Sequence, residues 1–297
     1  MPSTTTTAPR FMRVVVEAAT AAGDTYRDAL EAEALAPGFP ASPSLDLQYF
    51  GGRTIEQLTF TNVYLGGKAA WSADDVRNID TSLAAALEDP QLNNVVAQYF
   101  ADEQPTTAFV PSRTLEGKLP SLVTQPVVES IVGQLDVTGF ALASSVFCLL
   151  LPKGIVLTDG TADSKHGLGG YHGSVTTKHG TTYYAVAVYA DATNGINAFD
   201  HPWKNVCAIL YHELCEARTD PDVEDAIRHN SRGYLGWYSP RGGEIGDIPL
   251  SEAGRNLSLV MKEVSLVRGG TAPVQLMWSN AVGGPEGPIA RKHAAAR

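Results

Sequence analysis

The segment His212-Glu213-Leu214-Cys215-Glu216 sets three ionisable side chains inside an apolar run, and it constrains this chain more than any other feature. Residues four apart on a helix lie one above the other, so His212 and Glu216 face the same way and can grip one cation. Glu213 sits beside that pair, where a zinc hydrolase keeps its general base. Cys207, Ala208, Ile209, Leu210 and Leu214 surround the trio. Charged groups among such neighbours are costly to bury without a partner or a metal. The pattern, His-Glu-x-x-Glu, is a variant of the His-Glu-x-x-His metalloprotease helix in which a carboxylate replaces the second imidazole. A helix is predicted over Lys204–Thr219, stopped near Pro221.

Two ligands hold an ion loosely, so a third must come from elsewhere in the chain. Asp247 and Glu244, in the Gly-rich stretch Gly243-Glu244-Ile245-Gly246-Asp247, are the candidates, with Asp247 the first choice. The competing reading is that both cap a turn. His172, between Gly170 and Gly173, is a further ligand, a hydrogen-bond donor to a tetrahedral oxyanion, or a structural loop histidine. His229 is a weaker ligand candidate in a polar segment, and Cys215 is either a ligand or a small core thiol. Mixed imidazole and carboxylate ligation suits Zn2+ first, with Mn2+ or Ca2+ as alternatives. Glu213 would take a proton from water activated by the ion and pass it to the leaving amine. Two carboxylate ligands largely neutralise a divalent ion, so an alkaline pH optimum is expected.

The remaining composition narrows the partners. A net charge of −10, with no Lys/Arg cluster, argues against nucleic acid and anionic membrane surfaces. No segment approaches the roughly 18 apolar residues of a membrane span, and the start of the chain lacks the apolar core of a secretory signal. The sequence therefore reads as cytoplasmic, or exported without a recognisable signal peptide. Three cysteines, Cys148, Cys207 and Cys215, are too few for a disulfide framework.

Strand-like and helix-like stretches alternate, giving an α/β fold with a mixed sheet. Residues 1–43 read as a flexible N-terminal arm, with a weak helix over Glu17–Ala36; 44–282 form one catalytic domain; 283–297 read as a disordered tail. Strands are predicted around Leu45–Tyr49, Leu58–Tyr64, Val146–Leu157, Tyr183–Ala190 and Val274–Trp278. Ser72-x-x-Asp75 resembles a capping box before the helical spacing of Val76, Ile79, Leu83 and Leu87. Pro90 ends that helix and opens another to Phe100, and a third carries Val128, Ile131 and Leu135. The stretch from Phe100 to Leu122 reads as a loop. Tyr183–Ala190 is either an edge strand that holds an extended peptide or an interior strand that binds nothing.

Tyr211 to Pro221, Gly236-Trp237 and Gly243-Glu244-Ile245-Gly246-Asp247 together resemble the signature of the plant exordium-like (phosphate-induced) proteins and their bacterial relatives. Gly170-Tyr171-His172-Gly173-Ser174 is similar to that family's Gly-x-His-Gly element, and Val274–Asn280 to its Trp-containing strand. The resemblance spans about Leu45 to Pro288 and implies a zincin-like metallopeptidase domain. Plant members tend to carry Cys where this chain has Gly169 and Ile248-Pro249, so the family disulfide is not expected here. The combined expectation is a metal-dependent hydrolase acting on peptide or protein substrates. The alternative is a non-catalytic binding protein in which the same residues hold a structural ion.

Overall fold

The computed structural model describes residues 25–26, 35–101 and 104–296. Its centre is a five-stranded mixed sheet built from β1 (Gln57–Leu65), β2 (Thr106–Leu115), β3 (Ser145–Leu151), β4 (Gly170–Thr177) and β5 (Gly180–Val188), in the order β2-β1-β3-β5-β4. All neighbours run parallel except β4, which pairs antiparallel to β5 at the edge. Two further strands, β6 (Met261–Ser265) and β7 (Thr271–Gln275), form an antiparallel hairpin outside this sheet.

Both faces of the sheet are covered, which explains why β3 is buried along its whole length. Leu58, Phe60, Tyr64, Cys148, Leu150, Ala185 and Ala187 belong to one core. Val63, Leu65, Phe147, Leu149, Leu151, Val186 and Val188 belong to the other. The period of two along the strands assigns these residues to opposite faces. Helix α1 (Ala73–Glu88) begins where the Ser72 Oγ accepts the Asp75 N–H at 3.0 Å, and buries Ile79, Leu83 and Leu87 on the first face. Helix α2 (Pro90–Val96) follows directly, with Pro90 at its first position. Helix α3 (Gln125–Val132) packs Val128 and Val132 on the second face.

Helix α4 (Pro202–Thr219) carries the ionisable trio and is buried from Asn205 to its end. It lies on the same face as α1 and is packed against β4, β5 and the β7 strand of the hairpin. The next helices, α5 (Val223–His229) and α6 (Asp247–Ala253), are short. Among the described residues no helix is long and apolar enough to cross a membrane.

Several expectations are corrected. Thr106–Leu115 is a ten-residue strand rather than loop; it is a half-exposed sheet edge containing Pro111, so its apolar signal is weak. Of the two readings of Tyr183–Ala190, the interior strand is the observed one: β5 lies between β3 and β4, and β4, whose His172 was weighed as a loop residue, is the edge strand. The helix expected over Glu17–Ala36 falls mostly outside the described residues; within it, Thr25–Tyr26 is a strand paired with β6. Most of the expected arm 1–43 is likewise outside the described residues, but Leu35 bridges Glu286 and the Ala36 N–H donates to the Pro285 carbonyl at 2.8 Å. The expected tail is ordered by the same contacts. Gly284–Glu286 pairs with Met277–Ser279, and His293 meets Glu286 at 2.8 Å. All three cysteines are free and buried.

Candidate functional site

Three segments converge where α4 crosses beneath β4. Helix α4 supplies His212, Glu213 and Glu216; β4 supplies His172; the turn leading into α6 supplies Glu244 and Asp247. His172 is opposite Ala185 in the β4–β5 register, and Ala185 belongs to the core on the α4 face, so the imidazole is directed at the helix. His172, His212, Glu213, Glu216, Glu244 and Asp247 are between 3 and 6 % exposed. They line a cavity of about 390 Å³ that Gly170, Ile209 and Tyr238 also border.

Glu216 is the hub. Its Oε1 accepts the backbone N–H groups of Gly246 at 3.2 Å and Asp247 at 3.1 Å, which ties α4 to the turn. Its Oε2 lies 3.1 Å from His212 Nε2 and 3.5 Å from His172 Nδ1. Glu213 offers one oxygen to each imidazole, Oε2 at 3.5 Å from His172 Nδ1 and Oε1 at 4.0 Å from His212 Nε2. On the far side of His172, Glu244 Oε1 is 3.5 Å from Nε2.

Hydrogen bonds behind the site decide which nitrogen of each ring faces it. Gln275, at the end of β7, donates its Nε2–H to the Gly246 carbonyl at 2.6 Å, so its Oε1 is turned towards His212 Nδ1 at 2.9 Å and must accept. His212 Nδ1 therefore carries hydrogen, and Nε2 is the nitrogen directed at Glu216. His172 Nε2 lies 3.2 Å from the Asp220 carbonyl, which can only accept, so its Nδ1 is the nitrogen aimed at Glu213 and Glu216. Outer partners of this kind fix ring orientation in metal sites.

Burial and charge act in opposite directions here. Burial alone lowers the affinity of His212 for a second proton, but Glu216 and then Glu213 outweigh it and lift its pKa to about 10. For Glu216 burial pushes upward and is overcome by His212 and His172, which bring it to about 2. His172 is likewise disfavoured as a cation by burial, yet Glu244, Glu213 and Glu216 raise it well above the ordinary imidazole range. Burial, reinforced by the charge of Glu216, pushes Glu244 well above the ordinary carboxyl range. Asp220 is raised to about 8 by burial, against the Gly236 N–H that its side chain accepts at 2.8 Å.

Among the described residues, two sets of three donor atoms lie within 4.8 Å of one another: His212, Glu216 and Asp247, and His172, Glu213 and Glu216. Tetrahedral zinc with bonds of about 2.0–2.1 Å separates its ligand atoms by about 3.3–3.4 Å. The Glu216–imidazole separations fall on either side of that value. The donor chemistry and the locked ring orientations thus fit a divalent cation.

Six of the eight sequence candidates meet here, but the two acidic residues of the turn part company. Asp247 joins the His212 set, whereas Glu244 faces His172. His172 is a strand residue, not a loop residue. His229 is exposed on α5 and stacks on Tyr234 at 5.2 Å, far from any such role. Cys215 belongs to neither donor set, and burial raises its thiol to about 12. Gln275 was not singled out from the sequence; the only signal is a polar residue in an apolar strand. The glycine of the Glu-Ile-Gly-Asp stretch has a steric reason, since a Cβ on Gly246 would lie 2.4 Å from His212 Nδ1. Gly236 is similarly pressed against the Thr219 carbonyl, where a Cβ would sit at 2.2 Å. The Thr219-Asp220-Pro221 and Gly236-Trp237 blocks are therefore halves of one structural contact behind the site.

No protein-family model, curated protein or solved structure matches this chain.

Proposed function

We propose that the protein is a metal-dependent hydrolase of peptide or amide bonds, with a zincin-like arrangement of α4 under an edge strand. The observation that carries this reading is the pairing of a tautomer-locked His212 with Glu216 inside a cavity where Glu213 stands free of the backbone anchors that hold Glu216. His212 Nε2, Glu216 Oε2 and the Asp247 carboxylate would hold the cation, zinc being the first choice for this donor set. Such an ion supplies Lewis acidity, acidifying water and polarising a carbonyl.

The protein's own groups do the rest. Glu213 accepts the proton of the attacking water, whose oxygen adds to the carbonyl carbon. Glu213 then delivers that proton to the amine as the C–N bond breaks. His172, across the cavity from α4, is placed to steady the substrate oxygen or to join the cation's ligands. The β4 edge at Gly170–Tyr171 lines the same cavity, and an extended peptide could pair with it through main-chain bonds. Among the described residues the cavity lining contains no Lys or Arg and six carboxylates, so anionic substrates are disfavoured.

A second reading, a structural ion without catalysis, is favoured by one feature: the proposed ligands already join α4 to the Gly243–Asp247 turn. The deciding experiment is Glu213→Gln. Hydrolysis of a peptide library should vanish in this variant while a cation stays bound at His212; undiminished hydrolysis would remove the mechanism.

A further inference from the structure

We infer that the site is built for two divalent cations, bridged by Glu216, the second held by His172 Nδ1, Glu216 and one oxygen of Glu213, whose other oxygen remains the general base. The inference rests on the single-cation reading above and extends it. Glu216 belongs to both donor sets, and each set takes a different histidine. Its two oxygens have divided labour. Oε1 is occupied by the Gly246 and Asp247 N–H groups, while Oε2 lies between the two imidazoles at 3.1 and 3.5 Å. A carboxylate oxygen has two lone-pair sites, enough for one cation on each side.

Both rings are held in the same way. His212 has Gln275 behind it, and His172 has the Asp220 carbonyl behind it. A histidine whose outer nitrogen is tied to an acceptor presents a lone pair inward, and this chain does so twice around one carboxylate. Cations sharing that oxygen would lie about 3.5–4 Å apart, as in other two-metal hydrolytic sites.

Charge points the same way. Glu213, Glu216, Glu244 and Asp247 are all more than nine-tenths buried, and among the described residues no Lys or Arg lines the cavity. With neutral imidazoles as ligands, one divalent ion leaves one of the three charges of Glu213, Glu216 and Asp247 without the compensation that a second ion would supply. Buried charge without compensation is strongly destabilising. Glu244 Oε1 is buried, accepts no hydrogen bond, and faces His172 Nε2 at 3.5 Å. It occupies the position of the outer carboxylate in a carboxylate–histidine–metal relay.

The test is metal stoichiometry, read by elemental analysis of the full chain after zinc loading and removal of excess by gel filtration. Two equivalents per chain are expected in the wild type, one in His172→Ala and one in Asp247→Ala. One equivalent in the wild type overturns the second cation and leaves the hydrolase reading standing; none overturns both. Two equivalents retained in a folded His172→Ala variant would overturn the ligand assignment. Should that variant not fold, the Mn2+-loaded wild type still decides by electron paramagnetic resonance. An exchange-coupled pair supports the bridge, and the spectrum of isolated ions refutes it.

Discussion

Replacing Gln275 by Met should weaken metal binding without dismantling the fold. Gln275 is fully buried, touches no proposed substrate position, and spans two groups: it accepts from His212 Nδ1 at 2.9 Å and donates to the Gly246 carbonyl at 2.6 Å. Met preserves length and approximate volume, so little of the effect comes from a cavity. The His212 N–H is left buried without an acceptor and the Gly246 carbonyl without this donor, each costing about 1–3 kcal/mol. That is a fraction of the 5–15 kcal/mol typical of a folded domain, so the variant should remain native. The ring is no longer held with Nε2 towards Glu216. Loss of such an outer partner lowers metal affinity about 10–100-fold, which corresponds to about 1.4–2.7 kcal/mol. Competition with a chromogenic chelator measures this directly. Gln98→Met is the matched control, because Gln98 is also buried and bonded to Val95 and Ser279 outside the site. It should cost similar stability and leave affinity unchanged. A Gln275→Met protein that binds zinc within twofold of the wild type would refute the role given to this amide.

Other outcomes follow from the same geometry. Glu213→Gln should lower kcat about 10²–10⁴-fold, the usual share of a general base, in a steady-state peptide assay, while at least one zinc is retained. Gly246→Ala forces a Cβ to within 2.4 Å of His212 Nδ1, so zinc affinity and melting temperature should both fall; an unaltered Kd would contradict the close packing. In the metal-free protein the His212–Glu216 pair has a defined pH window. The His212 contribution to stability is complete below its ordinary value of 6.5 and is lost as pH rises through about 10. The Glu216 contribution is complete above 4.5 and is lost as pH falls through about 2. Denaturant titrations should therefore show a decline on both sides of that interval. Because a proton and a cation compete for the same nitrogen, zinc uptake near neutrality should release protons, seen by calorimetry in buffers of different ionisation enthalpy. Chelation should abolish hydrolysis and leave most of the fold, since Glu216 Oε1 keeps its two backbone bonds; collapse of the fold with no hydrolysis ever detected would favour the structural ion.

The local features of the chain were readable because they depend on neighbours in sequence. The Ser72 cap, the inward row Ile79–Leu83–Leu87 and the four-residue spacing of His212 and Glu216 are all short-range patterns, and the structure has each of them. Strands whose identity comes from partners were harder to read. Thr106–Leu115 has little apolar alternation because only one neighbour and one face protect it, and Gly170–Thr177 is masked by its two glycines and histidine. Within the site, the chain order of Glu244 and Asp247 could not reveal that a turn would send one towards His172 and the other towards His212. Gln275 lies 63 positions from His212, and only the packing of β7 against α4 brings the amide to the ring. The ordered segment after 283 was misjudged for the same reason: Gly284–Glu286 is held by strand pairing to Met277–Ser279, a contact that composition does not encode.

His212 Nε2 and Glu216 Oε2 are, on this reading, presented to a divalent cation. Crystals grown with zinc, with diffraction recorded on both sides of the zinc absorption edge, test it most directly. An anomalous peak about 2 Å from both atoms, in the cavity bordered by Glu213, is the result the account predicts. Density free of any such peak at full zinc loading, with His212 hydrogen-bonded to Glu216 alone, would contradict it.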